Sequence, residues 1–157
     1  MTDKQPAGLG DLIGYQLHLA NLVTLRDARA ALATQETTPA KVTALAFIRD
    51  NPGCDQSALG RFLDVNRSSA MKMVNALEDR ALIERREGRD RRSNGLHLTA
   101  VGEQSLTRMI ATLVAAEAKL AESLTLPERR ELLRLLAKIR DGETALEDEP
   151  KLRGAAR

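Results

Sequence analysis

The stretch DQSALGRFLDVNRSSAMKMVNALEDR, residues 55–80, contains two short helical patterns separated by a tight connection. Asp55 and Asn66 precede the two patterns, and short polar side chains at such positions cap free backbone N–H groups. Apolar residues recur at helical spacing in both segments: Ala58, Leu59, Phe62 and Leu63, then Ala70, Met73, Val74 and Leu77. We therefore predict a helix-turn-helix unit whose second helix runs through Arg80.

The outward-facing residues of this unit suit contact with DNA. A helix that enters the major groove, about 12 Å wide, needs short or hydrogen-bonding side chains near its N-terminus, and its free N–H groups attract phosphate. The candidates for DNA contact are Gln56, Ser57, Asn66, Arg67, Ser68, Ser69 and Lys72. Serines on an exposed helix face are also ordinary surface residues, so this pattern does not decide the function alone.

After the second helix the hydrophobic period changes. The segments LIERR and GLHLT, residues 82–86 and 95–99, are short, and they flank a loop that contains glycine, asparagine and serine. Leu96 and Leu98 would share one face of a strand while His97 points to the other. We predict a two-stranded hairpin, and hence a mainly α fold with a small β-hairpin wing.

The predicted hairpin tip concentrates positive charge. RREGRDRR, residues 85–92, holds five arginines against two acids, a local charge of +3 in a chain of net charge +2. Arginines on a stiff ribbon can enter the minor groove, where the negative potential is focused, and Asp90 would brace Arg92 for this role. The others would meet phosphates or pair with Glu84 and Glu87: Arg85, Arg86, Arg89 and Arg91. The plainer reading of an arginine-rich turn is a solvated loop.

Helical patterns also flank this central unit. Asp11 can cap a helix to about Ala33, and Thr38 with Pro39 begins the next, which stops at the NPG of residues 51–53. Thr99 can cap a long helix to about Leu124. The residues 125–128 have capping-box spacing for a last helix, whose apolar positions are Leu132, Leu135, Leu136 and Ile139.

Composition restricts the class of protein. The 157 residues are 43% hydrophobic but only 2% aromatic, so the core is aliphatic. One cysteine allows no internal disulfide, and no run approaches the roughly 18 apolar residues of a membrane span, so we predict a soluble cytoplasmic protein that does not contact a membrane. The only histidines are His18 and His97, and no phosphate loop, metal-ligand cluster or nucleophile–base pair is present. We predict no enzymatic activity, no catalytic residues, no metal and no cofactor.

The chain from Val42 to Gly102 resembles the multiple antibiotic resistance regulator (MarR) family of bacterial transcription factors. The most specific part is RDRRSNGLHLTAVG, residues 89–102, where the family has Asp-x-Arg, a strand, Leu-Thr and a glycine. The flanking helices fit the same plan. The resemblance implies a winged helix-turn-helix lobe at 38–99, an N-terminal arm and dimerisation helix at 1–37, and dimerisation helices at 100–146. A disordered tail is expected at 147–157.

The resemblance also implies partners and roles. The protein would be a homodimer that binds a pseudo-palindromic double-stranded operator, with Ser68, Ser69 and Lys72 reading bases and with Asp90 and Arg92 acting in the wing. The apolar stripes of the last two helices could instead form an intrachain core only. A winged-helix interaction module that does not bind DNA is the alternative function.

The sequence departs from the family at two individual residues. Many members have glycine where Ala81 stands, so we predict that the C-cap of the second helix is not left-handed. Members that sense peroxide have a cysteine near the first helix, whereas Cys54 lies in a loop and we interpret it as a partly buried, non-sensing residue.

Members of the family often release DNA on binding small aromatic acids. We predict an effector that is an aromatic acid or its thioester. The residues predicted to line its binding site are Tyr15, His18, Leu22, Arg26, Phe47 and Met109. His18 and Arg26 could instead be interface or solvent residues.

Overall fold

The computed structural model describes residues 8–87 and 94–147. It contains six helices and one hairpin within those ranges: α1 (Ile13–Leu32), α2 (Pro39–Asp50), α3 (Gln56–Phe62), α4 (Arg67–Glu78), β1 (Ile83–Glu87), β2 (Asn94–Leu98), α5 (Ala100–Ala121) and α6 (Leu126–Glu147). A single 3₁₀ turn, Ala33–Gln35, follows α1. The mainly α fold with a hairpin wing is therefore confirmed. No helix within the described ranges is long and apolar enough to cross a membrane.

Polar side chains begin most of the helices, as predicted. The Asp55 carboxylate accepts a hydrogen bond from the Ala58 N–H at 2.7 Å, and the Asn66 side-chain oxygen accepts one from the Ser69 N–H at 2.9 Å. Three threonines cap the starts of α2, α5 and α6: Thr38, Thr99 and Thr125. In the last of these, the Glu128 carboxylate accepts the Thr125 N–H in return at 2.8 Å, which completes the predicted capping box.

Three predicted helix boundaries were wrong. Leu12, not Asp11, is the N-cap of α1, and it makes no side-chain cap hydrogen bond because leucine has no side-chain acceptor. The Leu12 N–H donates to the Leu9 carbonyl at 3.1 Å, so a turn precedes the helix. The helices α4 and α5 end two and three residues before the predicted Arg80 and Leu124. Helix ends depend on the neighbouring turn, which periodicity does not report.

The core belongs to the first of two compact units, Met1–Glu117. It is aliphatic, as predicted, and its largest fully buried side chains come from helices and hairpin alike: Leu32, Leu45, Ile48, Leu59, Leu77, Ile83, Leu96, Leu106 and Val74. The strands pair antiparallel, with Ile83 opposite Leu98 and Arg85 opposite Leu96. The loop after α2 lies against the free edge of β2, where the Gly53 N–H donates to the Leu96 carbonyl at 2.9 Å.

The end of α4 corrects the prediction for Ala81. Its φ is +52°, so this residue is left-handed although it is not glycine. The Leu82 N–H donates to the Leu77 carbonyl at 3.0 Å, and the Ala81 N–H donates to the Glu78 carbonyl at 2.7 Å. These two bonds form a Schellman motif, in which the residue after the cap must be left-handed. Leu77 and Leu82 are both buried, so packing holds Ala81 in a conformation that costs an L-residue about 1 kcal/mol.

The second unit, Ala118–Arg157, contains the end of α5 and all of α6. The apolar side chains of α6 are between 37% and 53% exposed in the single chain at five positions: Leu132, Leu133, Leu135, Leu136 and Ile139. An amphipathic helix normally buries such a face against another element. This apolar face of α6 is therefore partly exposed in the single chain.

Candidate nucleic-acid interface

The starts of α3 and α4 lie side by side. A cleft of about 340 Å³ separates the two helices, and it is lined by Gln56, Ser57, Gly60, Arg61, Asp64, Val65, Arg67 and Ala70. The helices approach closely at one point, since a Cβ at Gly60 would lie 3.3 Å from the Cβ of Ala70. The structure thus brings the candidates Gln56, Ser57 and Arg67 to a single cleft. Sequence reasoning missed Arg61, which lines the same cleft from the last turn of α3.

The N-terminal half of α4 is a cationic surface. Arg67, Ser68, Ser69 and Lys72 are all exposed, as is the capping residue Asn66. No acid occurs between Asp64 and Glu78, so nothing within α4 opposes the charges of Arg67 and Lys72 before its C-terminal turn. Exposed hydroxyls, an amide and two cations in the first turns of one helix are suited to the hydrogen-bond acceptors and phosphates of a DNA groove.

The base of the hairpin lies beside α4. The Arg86 guanidinium donates to the Glu84 carboxylate of the same strand at 2.8 Å. Pairing with Glu84 was one of the two predicted alternatives for Arg86, the other being contact with phosphate. Arg85 instead reaches α4, where it pairs with the Glu78 carboxylate at 3.2 Å and bonds the Asn75 side-chain oxygen at 2.9 Å. The predicted wing residues Arg89, Asp90, Arg91 and Arg92 lie outside the described residues.

The six candidate ligand-lining residues have different surroundings. The Phe47 ring stacks on Phe62 of α3 with 4.3 Å between ring centroids, and the Arg26 guanidinium bonds Asp27 at 3.1 Å. Met109 is buried in the core. Tyr15 is half-buried, while His18 and Leu22 are exposed on α1. The structure does not place the six around either of the two described clefts, of which one contains Met109 and the other none of the six.

The cleft that contains Met109 has a volume of about 250 Å³ and is polar. It is lined by Thr34, Gln35, Glu36, Arg80, Ser105, Arg108 and Met109. Arg80 donates to the carbonyls of Gln35 and Glu36 at 3.1 and 2.9 Å, so its guanidinium caps the 3₁₀ turn after α1.

Cys54 is half-buried, as interpreted from the sequence. Desolvation by burial raises the pKa of the Cys54 thiol, and the neighbouring Asp55 carboxylate raises it further. The reactive form of a cysteine is the thiolate, so this environment disfavours a sensing role.

Comparison with known proteins places these features in one family. The MarR family model matches residues 36–93. One relative is the putative transcriptional regulatory protein for the hcr operon of Thauera aromatica. It is 36% identical to this chain over 136 residues, which cover 84% of this chain and 82% of that protein.

Solved structures show the same similarity. The repressor CouR bound to a 23-mer DNA duplex has a TM-score of 0.79 and 34% identity, covering 87% of this chain and 99% of CouR. CouR bound to p-coumaroyl-CoA has a TM-score of 0.74 with 34% identity over 87% of this chain and 96% of CouR. The Mycobacterium tuberculosis protein Rv2887 in complex with salicylic acid has a TM-score of 0.70 and 28% identity, covering 88% of this chain and 99% of Rv2887.

Proposed function

This chain belongs to the MarR family of transcriptional regulators, and from that premise we propose a homodimeric repressor that binds a pseudo-palindromic operator. Such regulators are not enzymes. The observation that carries the proposal is the exposed, cationic N-terminal half of α4, a helix whose C-terminal half contacts the base of the hairpin through Arg85. A repressor of the same fold, CouR, has been solved on a DNA duplex.

DNA contact is assigned by position on this surface. Ser68, Ser69 and Lys72 would face base edges from α4, while Asn66 and Arg67 would hold phosphates at its start. Gln56 and Ser57 would contact the sugar–phosphate backbone of the DNA from α3. Arg61 would contact it too, because it lines the same cleft. The wing would add Arg89, Asp90, Arg91 and Arg92, which the sequence places at the hairpin tip.

The dimer proposal rests on exposed apolar faces. Besides α6, the helix α1 exposes Ile13, Leu17, Leu22 and Val23, and its N-cap Leu12 is also exposed. Large exposed apolar faces on a soluble protein mark interaction surfaces. A second copy is the partner that a two-fold operator requires, because a symmetric dimer presents two α4 helices about one helical turn of DNA apart.

Removing the two cations of α4 is the direct test of DNA binding. Arg67→Ala with Lys72→Ala should weaken binding to the selected duplex at least about tenfold, because a phosphate contact and a base contact are lost. The salt dependence should become shallower by about 1 per protomer, because Arg67 would neutralise one phosphate. Fluorescence anisotropy over a series of salt concentrations measures both quantities. The duplex used is the one that the wild-type protein enriches from a random-sequence pool.

The matched control removes the same charge elsewhere. Lys119→Ala with Lys138→Ala takes two exposed cations from α5 and α6 and should leave affinity and salt slope near those of the wild type. A wild-type protein that enriches no duplex and shows no salt-dependent binding would favour the interaction module instead.

We further propose that an aromatic acid or its thioester releases the operator. The support is that CouR binds p-coumaroyl-CoA and Rv2887 binds salicylic acid. Tyr15, Leu22, Phe47 and Met109 would supply the apolar lining. His18 and Arg26 would hold the anionic group, for which Arg26 must leave its exposed pairing with Asp27.

The effector is tested by titrating salicylate, p-coumarate and p-coumaroyl-CoA into the protein–duplex complex, with free coenzyme A as the control. An effector at about 100 times its Kd should release the duplex and stabilise the free protein by about 2.7 kcal/mol in thermal melts. Arg26→Ala should abolish the response and keep the DNA affinity. If none of the compounds changes either quantity, the effector proposal fails while the repressor proposal stands.

A further inference from the structure

The Arg85 guanidinium links the hairpin to the recognition helix. Its Nη1 lies 3.2 Å from the Glu78 Oε2 atom, and its Nη2 donates to the Asn75 Oδ1 atom at 2.9 Å. The two acceptors are three residues apart on α4, so they lie one above the other on a single helix face. A planar guanidinium that binds two acceptors through different nitrogens has a defined direction.

The position of Arg85 on β1 explains why it faces inward. Residues alternate along a strand, so Arg85 shares its face with the buried Ile83, while Glu84 and Arg86 share the other. Arg86 is occupied on that outer face by Glu84 at 2.8 Å. The side chains of Arg85 and Glu78 are only 33% and 37% exposed. Of these two neighbouring arginines, Arg85 is therefore the one engaged with α4.

Asn75 lies on the stripe that would face DNA. It follows Ser68 and Lys72 at intervals of seven and three residues, which places all three on one side of α4. Resting on the proposed DNA binding, we propose that Arg85 is a positioning residue: with Glu78 and Asn75 it fixes the angle between the wing and α4. The two DNA-contacting elements then reach the duplex at a preset separation, so less conformational freedom is lost on binding.

The charge of Glu78 distinguishes this proposal from simple electrostatics, because the two predict opposite changes in DNA affinity when Glu78 is removed. Removing Glu78 takes a carboxylate away from a DNA-binding surface, and electrostatics alone would tighten binding. Loss of the Arg85 link would weaken it. A partly exposed ion pair contributes little to stability, so the thermal midpoint should change little in either case.

The experiment measures anisotropy of the full-length variants on the duplex that the wild-type protein selects from a random pool. Glu78→Ala should weaken binding roughly three- to tenfold, whereas its neighbour Asp79→Ala, which removes an equal charge, should not weaken it. Arg85→Lys should bind as weakly as Arg85→Ala, because an ammonium keeps the charge but not the two-pronged geometry. The double variant of Arg85→Ala and Glu78→Ala should bind no more weakly than Arg85→Ala alone.

The salt dependence separates positioning from direct phosphate contact. We expect Arg85→Ala to keep the wild-type slope, because no phosphate contact is lost. Unchanged or tighter binding by Glu78→Ala would overturn the proposal. So would a shallower slope for Arg85→Ala together with normal binding by Arg85→Lys, which would make Arg85 a phosphate contact. Absence of any duplex selected by the wild-type protein would be a failure of the proposed function itself.

Discussion

Replacing Gly102 with alanine is expected to lower the free energy of unfolding by about 3 kcal/mol, the upper part of the range for overpacked sites. A Cβ at this position would lie 1.9 Å from the Leu82 carbonyl oxygen and 2.9 Å from its carbon. Both neighbours are backbone atoms, so no rotamer change can relieve the clash. Urea denaturation followed by circular dichroism measures the loss.

The surroundings of Gly102 make the clash costly because they are already bonded together. The Thr99 N–H donates to the Leu82 carbonyl at 3.1 Å, and the Thr99 hydroxyl donates to the Ala81 carbonyl at 2.6 Å. The same hydroxyl accepts the Gly102 N–H at 2.9 Å and so caps α5. Leu82 is in the core and only 3% exposed. Moving α5 away from Leu82 would therefore break these bonds, and moving Leu82 would disturb the core.

The same substitution at Gly14 provides the control. Gly14 is in α1, and a Cβ there would meet nothing within 4 Å. Glycine within a helix is less favourable than alanine by roughly 0.5–1 kcal/mol, so Gly14→Ala should be neutral or stabilising. Equal effects of the two substitutions would show that close approach to Leu82 is not what requires glycine at position 102.

Local features of this fold were predictable because adjacent residues determine them. The caps at Thr38, Asp55, Asn66 and Thr99 each depend on a side chain and an N–H three residues away, and all four formed as predicted. The change from helical to alternating periodicity likewise located the hairpin. The family's glycine at position 102 was visible in the sequence, but its steric reason required the position of Leu82.

Features that depend on two separate elements were not predictable. Arg85 was expected to meet phosphates or acids of its own hairpin, and it reaches Glu78 and Asn75 because β1 folds back along α4. The left-handed Ala81 follows from the same reversal of the chain. A ligand site requires several elements at once, which is why the six proposed lining residues remain a prediction that periodicity cannot refine.

Introducing charge into the apolar face of α6 should abolish the proposed dimer. Leu132→Glu with Leu136→Glu places four carboxylates in a two-fold interface and removes four leucines from it. Leu132 and Leu136 are 44% and 37% exposed in the single chain, so a dimer would bury only that part, about 1 kcal/mol for each leucine. The loss is roughly 4 kcal/mol, which raises the dimer Kd by about 10³. Sedimentation equilibrium should change from dimer to monomer. Affinity for the selected duplex should fall by more than about a hundredfold, since a monomer holds a single half-site.

Arg130→Glu is the control for this pair of substitutions because it changes the charge of the chain by the same two units. Arg130 is exposed on the polar side of α6, opposite the stripe of Leu132, Leu135, Leu136 and Ile139. It should leave the dimer intact. Because no residue of the buried core cluster comes from α6, the leucine variant should keep near-native helical circular dichroism. A leucine variant that remains dimeric would assign the interface to another face, such as the exposed apolar residues of α1, and a monomeric wild-type protein would rule out the two-fold mode of operator binding.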